Sequence, residues 1–475
     1  MIREAIEKIE AKKINLIRIF SIILILSAIR DFIEISLLNV HYNFLIILHF
    51  NLFYIAIFLS YVLIITVFSK EKVGKVINIS LIGFLLIFFP PLIDHFIFGR
   101  NVTYCYHQPE NLLKNLSTFF FYDECIGKGQ IIEIILLNIL ASFYVYCKTK
   151  SLMRSVSIFI FICLVVDFFH IPTLLLNISS NFDIGTSLYY LLLSSVVLIL
   201  LCYRANKKML FGLVKNMRPV RSFYAVFLVF FGSLLAGIYD VISLIAGMLA
   251  IFFTWQFSII VNDIYDQKID NLSNRKRPLI LKILSEKNYF NLAAIFLMFA
   301  ILFGILAGLV PFLILCACIV IVFLYSFPAV RLRKYIFSSS IVGICSALAF
   351  LLGYFSQAAI TTPMAVSLSI ILAISISLGV TAKDFKDYEG DKRDGVKTIF
   401  TVFGLERGKT ISAIMLAIAF LMPMFLLNTL KDLIIILTFA IVASLYFKKK
   451  QDYPMTIVFC ILLLVYVMLR LKSFI

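Results

Sequence analysis

Charge is scarce in this chain. Asp, Glu, Lys and Arg make up 15% of its 475 residues, against roughly a quarter in ordinary soluble domains. Hydrophobic residues account for 62%, and the mean hydropathy is +1.04. A soluble domain of this size cannot hide so much apolar surface, and its core does not need it. A soluble globular class is therefore excluded. A cleavable leader is also lacking. Residues 1–14, MIREAIEKIEAKKI, are charged, with no apolar stretch leading to a small-residue cleavage site, so no signal peptide is expected. The net charge is +17, from 43 basic and 26 acidic residues, yet the basic groups are spread over short loops rather than gathered on one face. Membrane topology and anionic headgroups account for that pattern better than a nucleic-acid partner. The nine cysteines fall mostly inside apolar segments, where they act as small apolar residues. Cys105 and Cys125 differ, since both lie in the loop 99–130; their spacing does not decide whether they pair. The same loop carries glycosylation sequons at 101–103 and 115–117.

What is abundant is apolar sequence in blocks of about 17–25 residues, the length that crosses a hydrocarbon layer as a helix. The chain reads as an all-α polytopic membrane protein with about fifteen spans. They lie near 15–39, 44–67, 77–98, 131–147, 155–176, 187–203, 222–238, 243–262, 289–308, 310–329, 336–357, 365–381, 409–427, 431–447 and 454–471. Lys and Arg concentrate at the N-terminus and at 68–75, 148–154, 204–221, 263–288, 331–334, 382–409 and 448–452, which are alternate connections throughout. Basic loops stay cytoplasmic, so the N-terminus is expected inside and the C-terminus outside a cell membrane. The basic stretch 204–221 then reads as a cytoplasmic linker between a six-helix domain, 1–203, and a nine-helix domain, 222–475.

Two acidic clusters stand out against this background. In VNDIYDQKIDNLSNRKRPL, residues 261–279, Asn262, Asp266 and Asp270 recur at i, i+4 and i+8 and so share one helix face. Asp263 sits about 100° away and reads as an auxiliary group or a cap. In TAKDFKDYEGDKRDGVKT, residues 381–398, Asp384, Asp387 and Asp391 recur at i, i+3 and i+7. Both clusters end an apolar span, on the same expected side. Stacked like charges there are costly unless compensated. Neighbouring Lys and Arg supply one compensation. The other is divalent cations between the two faces: Mg²⁺ takes a few carboxylate oxygens together with phosphate oxygens, which would make a diphosphate site. The bases placed to take the remaining phosphate charge are Lys268, Arg275, Lys276 and Arg277, then Arg331, Arg333 and Lys334, and Lys386, Lys392 and Arg393. Each is also accounted for as an ordinary positive-inside residue. Tyr325 reads either as an interfacial anchor or as a hydroxyl donor to phosphate.

At these residues the sequence resembles the UbiA superfamily of intramembrane prenyltransferases. NDIYDQKID matches the family's first signature, NDxxDxxxD, through Asn262, Asp263, Asp266 and Asp270; Arg277-Pro278 matches its trailing Arg-Pro. Lys383, Asp384, Asp387, Gly390, Asp391, Gly395 and Thr398 match its second signature. LYSFPAVRLRK resembles the segment between the signatures, and MRPVRS the entry to the first helix. The resemblance covers about residues 210–475, and its nine helices equal the number counted here. The sequence departs from many members after Arg-Pro-Leu, where no glycine turn follows.

The resemblance implies Mg²⁺ held by Asn262, Asp266, Asp387 and Asp391, with Asp270 and Asp384 supporting it directly or through water. It also implies an allylic prenyl diphosphate as donor, with catalysis centred on Asp266, Asp387 and Asp391. The diphosphate would meet Lys268, Arg275, Arg277, Tyr325, Arg331, Lys334 and Lys386. The second signature is closest in flavour to members that prenylate a glycerol phosphate in ether-lipid synthesis; an aromatic acceptor of quinone synthesis is the alternative. A lipid or ion transporter would instead place its acids near the bilayer midplane within internal repeats, and no clear repeat is seen.

Residues 1–203 resemble no family recognised here. They carry ionisable groups inside spans: Arg30, Asp31, Glu34, His49, Asp94, His95, Asp167 and His170. Such groups mark a pathway or a site, or pair between helices; the second is the plainer expectation.

Overall fold

The computed structural model describes residues 2–12, 16–38, 43–99, 127–169, 172, 182–272 and 277–472. Cys105, Cys125, both sequons, His170, Arg275 and Lys276 lie outside the described residues, as do the side chains of Asp167 and Lys268. Among the described residues every regular element is helical. Thirteen stretches are long and apolar enough to cross a membrane. Two further helices coincide with expected spans. Leu16–Leu38 carries Arg18, Arg30, Asp31 and Glu34 within it, and Leu152–Phe168 is only 17 residues long.

The chain divides into two compact units, Met1–Leu210 and Phe211–Ile475. That division falls inside the stretch 204–221 expected to be a linker. Much of the stretch is helical, Lys207–Asn216, with the next helix beginning at Pro219. Its apolar residues are too few to cross a membrane, but enough to give a helix one apolar face.

The first unit consists of α1 (Ile2–Glu10), α2 (Leu16–Leu38), α3 (Phe44–Ser69), α4 (Val73–Gly83), α5 (Phe89–Phe96), α6 (Lys128–Thr149), α7 (Leu152–Phe168) and α8 (Phe182–Ala205). A 3₁₀ segment, Phe84–Phe88, joins α4 to α5 just before Pro90 and Pro91, where proline cannot continue the backbone ladder. The central helix is α3, most of which is buried. At one end Glu10 accepts from the Tyr144 hydroxyl at 2.9 Å and meets Lys148 Nζ at 2.6 Å, pinning α1 to α6. Burial pushes the nearby Glu71 carboxyl up, but the hydrogen bond and charge of Lys75 and the charge of Lys148 outweigh it and hold Glu71 below its ordinary value. Several of the intramembrane ionisable groups among the described residues have polar partners. Arg30 bonds Glu34 at 3.1 Å and the Ile87 carbonyl at 2.9 Å, Asn51 donates to Asp31 at 2.7 Å, and His49 lies 3.7 Å from Asp183. Arg30 thus pairs with a glutamate on its own helix and reaches the 3₁₀ segment through the Ile87 carbonyl.

After α9 (Lys207–Asn216) the second unit has nine long helices among the described residues. They are α10 (Pro219–Ala236), α11 (Val241–Tyr265), α13 (Glu286–Ala307), α14 (Leu309–Ser326), α15 (Ser338–Phe355), α16 (Pro363–Gly379), α19 (Leu405–Leu421), α20 (Leu430–Lys450) and α21 (Tyr453–Lys472). Of three short helices, α12 (Gln267–Leu272) and α17 (Tyr388–Arg393) carry the last acid of each cluster, Asp270 and Asp391, and α18 (Ile399–Phe403) follows the second. Opposite the clusters, Asp240 caps α11 by accepting from Ile242 and Ser243 amides. Gln357 there bonds both Tyr239 and Asp240 amides at 2.9 Å.

Helices α10 and α15 cross at two glycines. A Cβ on Gly232 would lie 1.9 Å from the Phe350 carbonyl oxygen, and one on Gly353 1.9 Å from that of Val229. Ser233 Oγ completes the crossing by donating to the Gly353 carbonyl at 2.8 Å. Small residues let helix backbones approach in this way in a bilayer. Gly353→Leu is expected to cost at least the upper end of the ~1–3 kcal/mol typical of overpacking, because the obstacle is backbone. The yield of monodisperse protein in detergent should collapse, whereas Gly74→Ala, which meets nothing within 4 Å, should leave it unchanged.

Candidate active site

Both acidic clusters lie at the ends of long helices, yet their backbone differs. The first continues in α-helical register: the Asp266 amide donates to the Asn262 carbonyl and the Asp270 amide to that of Asp266, each at 2.9 Å. The second begins as a 3₁₀ segment, Val380–Asp387, and only then becomes α17. At three residues per turn, Asp384 and Asp387 are eclipsed, and the regular α face expected for the trio does not form.

Between the clusters stands Arg333. Its guanidinium makes a close ion pair with Asp266, bonds Asp391 Oδ1 at 3.3 Å and lies 3.8 Å from Asp387. Arg331 adds a second cation, 3.4 Å from Asp266 and 2.7 Å from Asp394. These acids are out of water: Asp266 is 2% exposed and Asp391 1%. Of the two compensations for stacked acids, the structure shows the guanidinium one. Arg331 itself is held at φ +41°, a conformation a non-glycine residue adopts at a cost of order 1–3 kcal/mol. Its loop is fixed to the second cluster by the Lys397 amide, which donates to the Lys334 carbonyl at 2.9 Å.

The remaining acids play other parts. Asp270 meets Arg277 Nε at 3.5 Å. Asp384 is buried, within electrostatic reach of Lys383 and Arg333. Asn262 is half-buried on the last turn of α11. Asp263, assigned an auxiliary or capping part from the sequence, is the centre of a buried network. Its side chain has no exposure; Arg218 donates to Oδ1 at 3.0 Å, and Asn216 and the Tyr289 hydroxyl donate to Oδ2 at 2.6 and 3.1 Å. Arg277 closes the network through Asn216 Oδ1 at 3.0 Å. Arg277, expected at phosphate, is thus held by Asp263, Asp270 and Asn216. Tyr325 accepts from Lys383 Nζ at 3.0 Å. Lys334 and Lys386 are exposed.

Asn216 and Tyr289 carry no mark in the sequence that would have singled them out. One was hidden in the supposed linker, the other in an apolar helix. Arg333 was legible as a base but not as the group joining both clusters.

The carboxylates of Asp266, Asp387 and Asp391 are hard oxygen donors gathered within 4 Å of one cationic group, and their chemistry fits Mg²⁺. Among the described residues no three such groups are arranged to hold an ion by themselves, and the Arg333 guanidinium stands among the three carboxylates. Below the acids the bundle holds an apolar cavity of about 160 Å³. Ser258 and Val380 line it, four residues before Asn262 and Asp384 respectively, and Trp255 and Cys318 lie among its walls. The walls are mainly aliphatic and small side chains, several of them leucines.

A model of the UbiA prenyltransferase family matches residues 225–470. The digeranylgeranylglyceryl phosphate synthase of Methanobrevibacter smithii is 29% identical over 202 residues, covering 40% of this chain and 69% of that protein. The enzyme of the same name from Pyrococcus horikoshii is 26% identical over 204 residues, covering 42% and 72%. Among solved structures, a UbiA homolog from Archaeoglobus fulgidus bound to GPP and Mg²⁺ is similar at TM-score 0.42 and 17% identity, covering 55% of this chain and 99% of that one. The chain is an integral membrane prenyltransferase and belongs to the UbiA prenyltransferase family.

Proposed function

We propose that the second unit transfers a prenyl group from an allylic prenyl diphosphate to a glycerol-phosphate ether-lipid intermediate, with Mg²⁺ as cofactor. The observation that carries the reading is the meeting of both acidic clusters on one guanidinium, Arg333. Asn262, Asp266, Asp387 and Asp391 would hold the metal, and Asp270 and Asp384 would support it. When bound, Mg²⁺ supplies positive charge against the diphosphate and the charge it gains on leaving. Arg331 and Arg333 then have a phosphate to pair with in place of Asp266 and Asp391, and a guanidinium suits phosphate bidentately. Lys268, Arg275, Lys334 and Lys386 are the outer bases of this reading. The apolar walls below exclude water while C–O cleavage leaves an allylic cation for the acceptor oxygen to attack. At about 160 Å³ the cavity is smaller than the roughly 300–1,000 Å³ that buries a drug-sized ligand, so a prenyl chain enters it by moving helices apart.

The names of the Methanobrevibacter and Pyrococcus relatives support the glycerol-phosphate acceptor. The alternation of basic loops supports a cytoplasmic site, an inside N-terminus and an outside C-terminus. The test offers the full chain labelled geranylgeranyl diphosphate with either a prenylated glycerol phosphate or a hydroxybenzoate, followed by mass spectrometry. A doubly prenylated glycerol phosphate is expected, lost on chelation with EDTA and restored by Mg²⁺. Product from the aromatic acceptor alone, or turnover indifferent to EDTA, would overturn the reading.

A further inference from the structure

The first unit contains a cavity of about 510 Å³, within the range that buries most of a small ligand. It is long, and its charged lining lies at one end. Its walls include α3 from Phe50 to Ile65 and α6 from Gln130 to Tyr144, stretches of about 22 and about 21 Å at 1.5 Å per residue. Phe53, Ile57, Ile134 and Ala141 give the middle an apolar lining. At the end marked by Phe50 and Ile87 the lining turns polar, with Arg30, Gln130 and Glu133. Arg30 is 5% exposed, held by the Ile87 carbonyl and Glu34 and lying over the Tyr54 ring at 4.7 Å. Glu133 is within electrostatic reach of both Arg30 and Glu34.

This charge pattern selects among amphiphiles. A carboxylate or phosphate head would face the Glu133 carboxyl, with Glu34 already holding Arg30 behind the wall, and an ammonium head would face the Arg30 guanidinium. A hydroxyl suits the end as built: it donates to the Glu133 carboxyl and accepts from Arg30, and the Gln130 amide serves it in either sense.

We infer that the first unit binds a long-chain alcohol, its chain along α3 and α6 and its hydroxyl among Arg30, Gln130 and Glu133. The site is independent of the transferase reading and lies wholly within residues 1–210. It gives the unit a lipid-binding task where plain interhelical pairing was expected.

The experiment uses the full chain in detergent with hexadecan-1-ol carrying a terminal diazirine, photolysed and mapped by mass spectrometry. Unlabelled hexadecan-1-ol, hexadecanoate and hexadecylamine compete. Label is expected on α3 and α6 facing the cavity, displaced at least tenfold better by the alcohol than by the acid or the amine. Ile57→Trp, which fills the middle of the channel, should remove that label while prenyl transfer continues as a check on folding. Glu133→Gln, which keeps hydrogen bonding but cannot ionise, should bring hexadecanoate to within about threefold of the alcohol. Label scattered over lipid-facing positions whatever stands at 57, or acid or amine displacing it as well as alcohol in the unaltered chain, would overturn the assignment. Should Ile57→Trp fail to fold, the preference for alcohol and its loss in Glu133→Gln decide.

Discussion

Asp391→Asn is expected to lower kcat/KM for prenyl transfer by roughly 10²–10³-fold, the range seen when one preorganised electrostatic partner of a developing charge is removed. The substitution is nearly isosteric and lies at a position 1% exposed, so packing is undisturbed. Charge is what changes. Arg333 keeps Asp266 as a partner after the replacement, so the fold should survive with little loss of thermal stability. Asp266→Asn should act in the same way, and the double variant should lose little more than either alone, since the residues act as a unit. Diphosphate release measured against Mg²⁺ concentration provides the check. Either single variant, folded and fully active, would mean that these carboxylates do not serve the reaction.

The second large effect concerns stability. Asp263→Ala is expected to remove about 3–5 kcal/mol, the cost of breaking a buried ion pair and leaving its partners uncompensated. Arg218 and Arg277 would lose the carboxylate they share, Arg277 keeping only Asp270 at 3.5 Å, and Asn216 and Tyr289 would each lose an acceptor. Thermal unfolding of purified protein should show the loss, or the protein should fail to accumulate. Asp263→Asn separates charge from hydrogen bonding: it retains an acceptor for Tyr289 but not the compensation of two guanidinium groups. Adding Arg218→Met to Asp263→Asn should recover part of the loss. A residue engaged only with metal and diphosphate would give the opposite pattern, a stable protein that is inactive.

The two acidic clusters were legible because charge is rare here and theirs recurs at helical spacing beside apolar runs. The long spans were legible for the same reason, since length and hydropathy decide them. Asp263 shows where such reasoning stops. Its offset of about 100° from the Asn262 face was readable, but what lay on that side was not. The offset points it at Tyr289 of α13 and at Asn216 of a helix whose basic composition reads as linker. Arg333 marks the other limit. Among the bases of LYSFPAVRLRK nothing in the sequence distinguishes it from Arg331 or Lys334; the strained turn at Arg331 and the Lys397–Lys334 backbone bond place it. Helix α2 was expected from its apolar content, and it forms although four charged residues lie within it.

The guanidinium between the clusters has a thermodynamic consequence for whatever enters there. Arg333 is a tethered competitor: an incoming cation must displace it, and the free energy of the broken ion pairs is subtracted from the cation's affinity. A bare ion recovers none of that loss. A cation arriving with a diphosphate does, because the displaced arginine receives a new anion within its reach. Ion and diphosphate are then coupled, and each raises the other's affinity by the same factor. If Mg²⁺ and a diphosphate bind as proposed, the pocket would discriminate against an ion without a substrate by means of a side chain that belongs to neither.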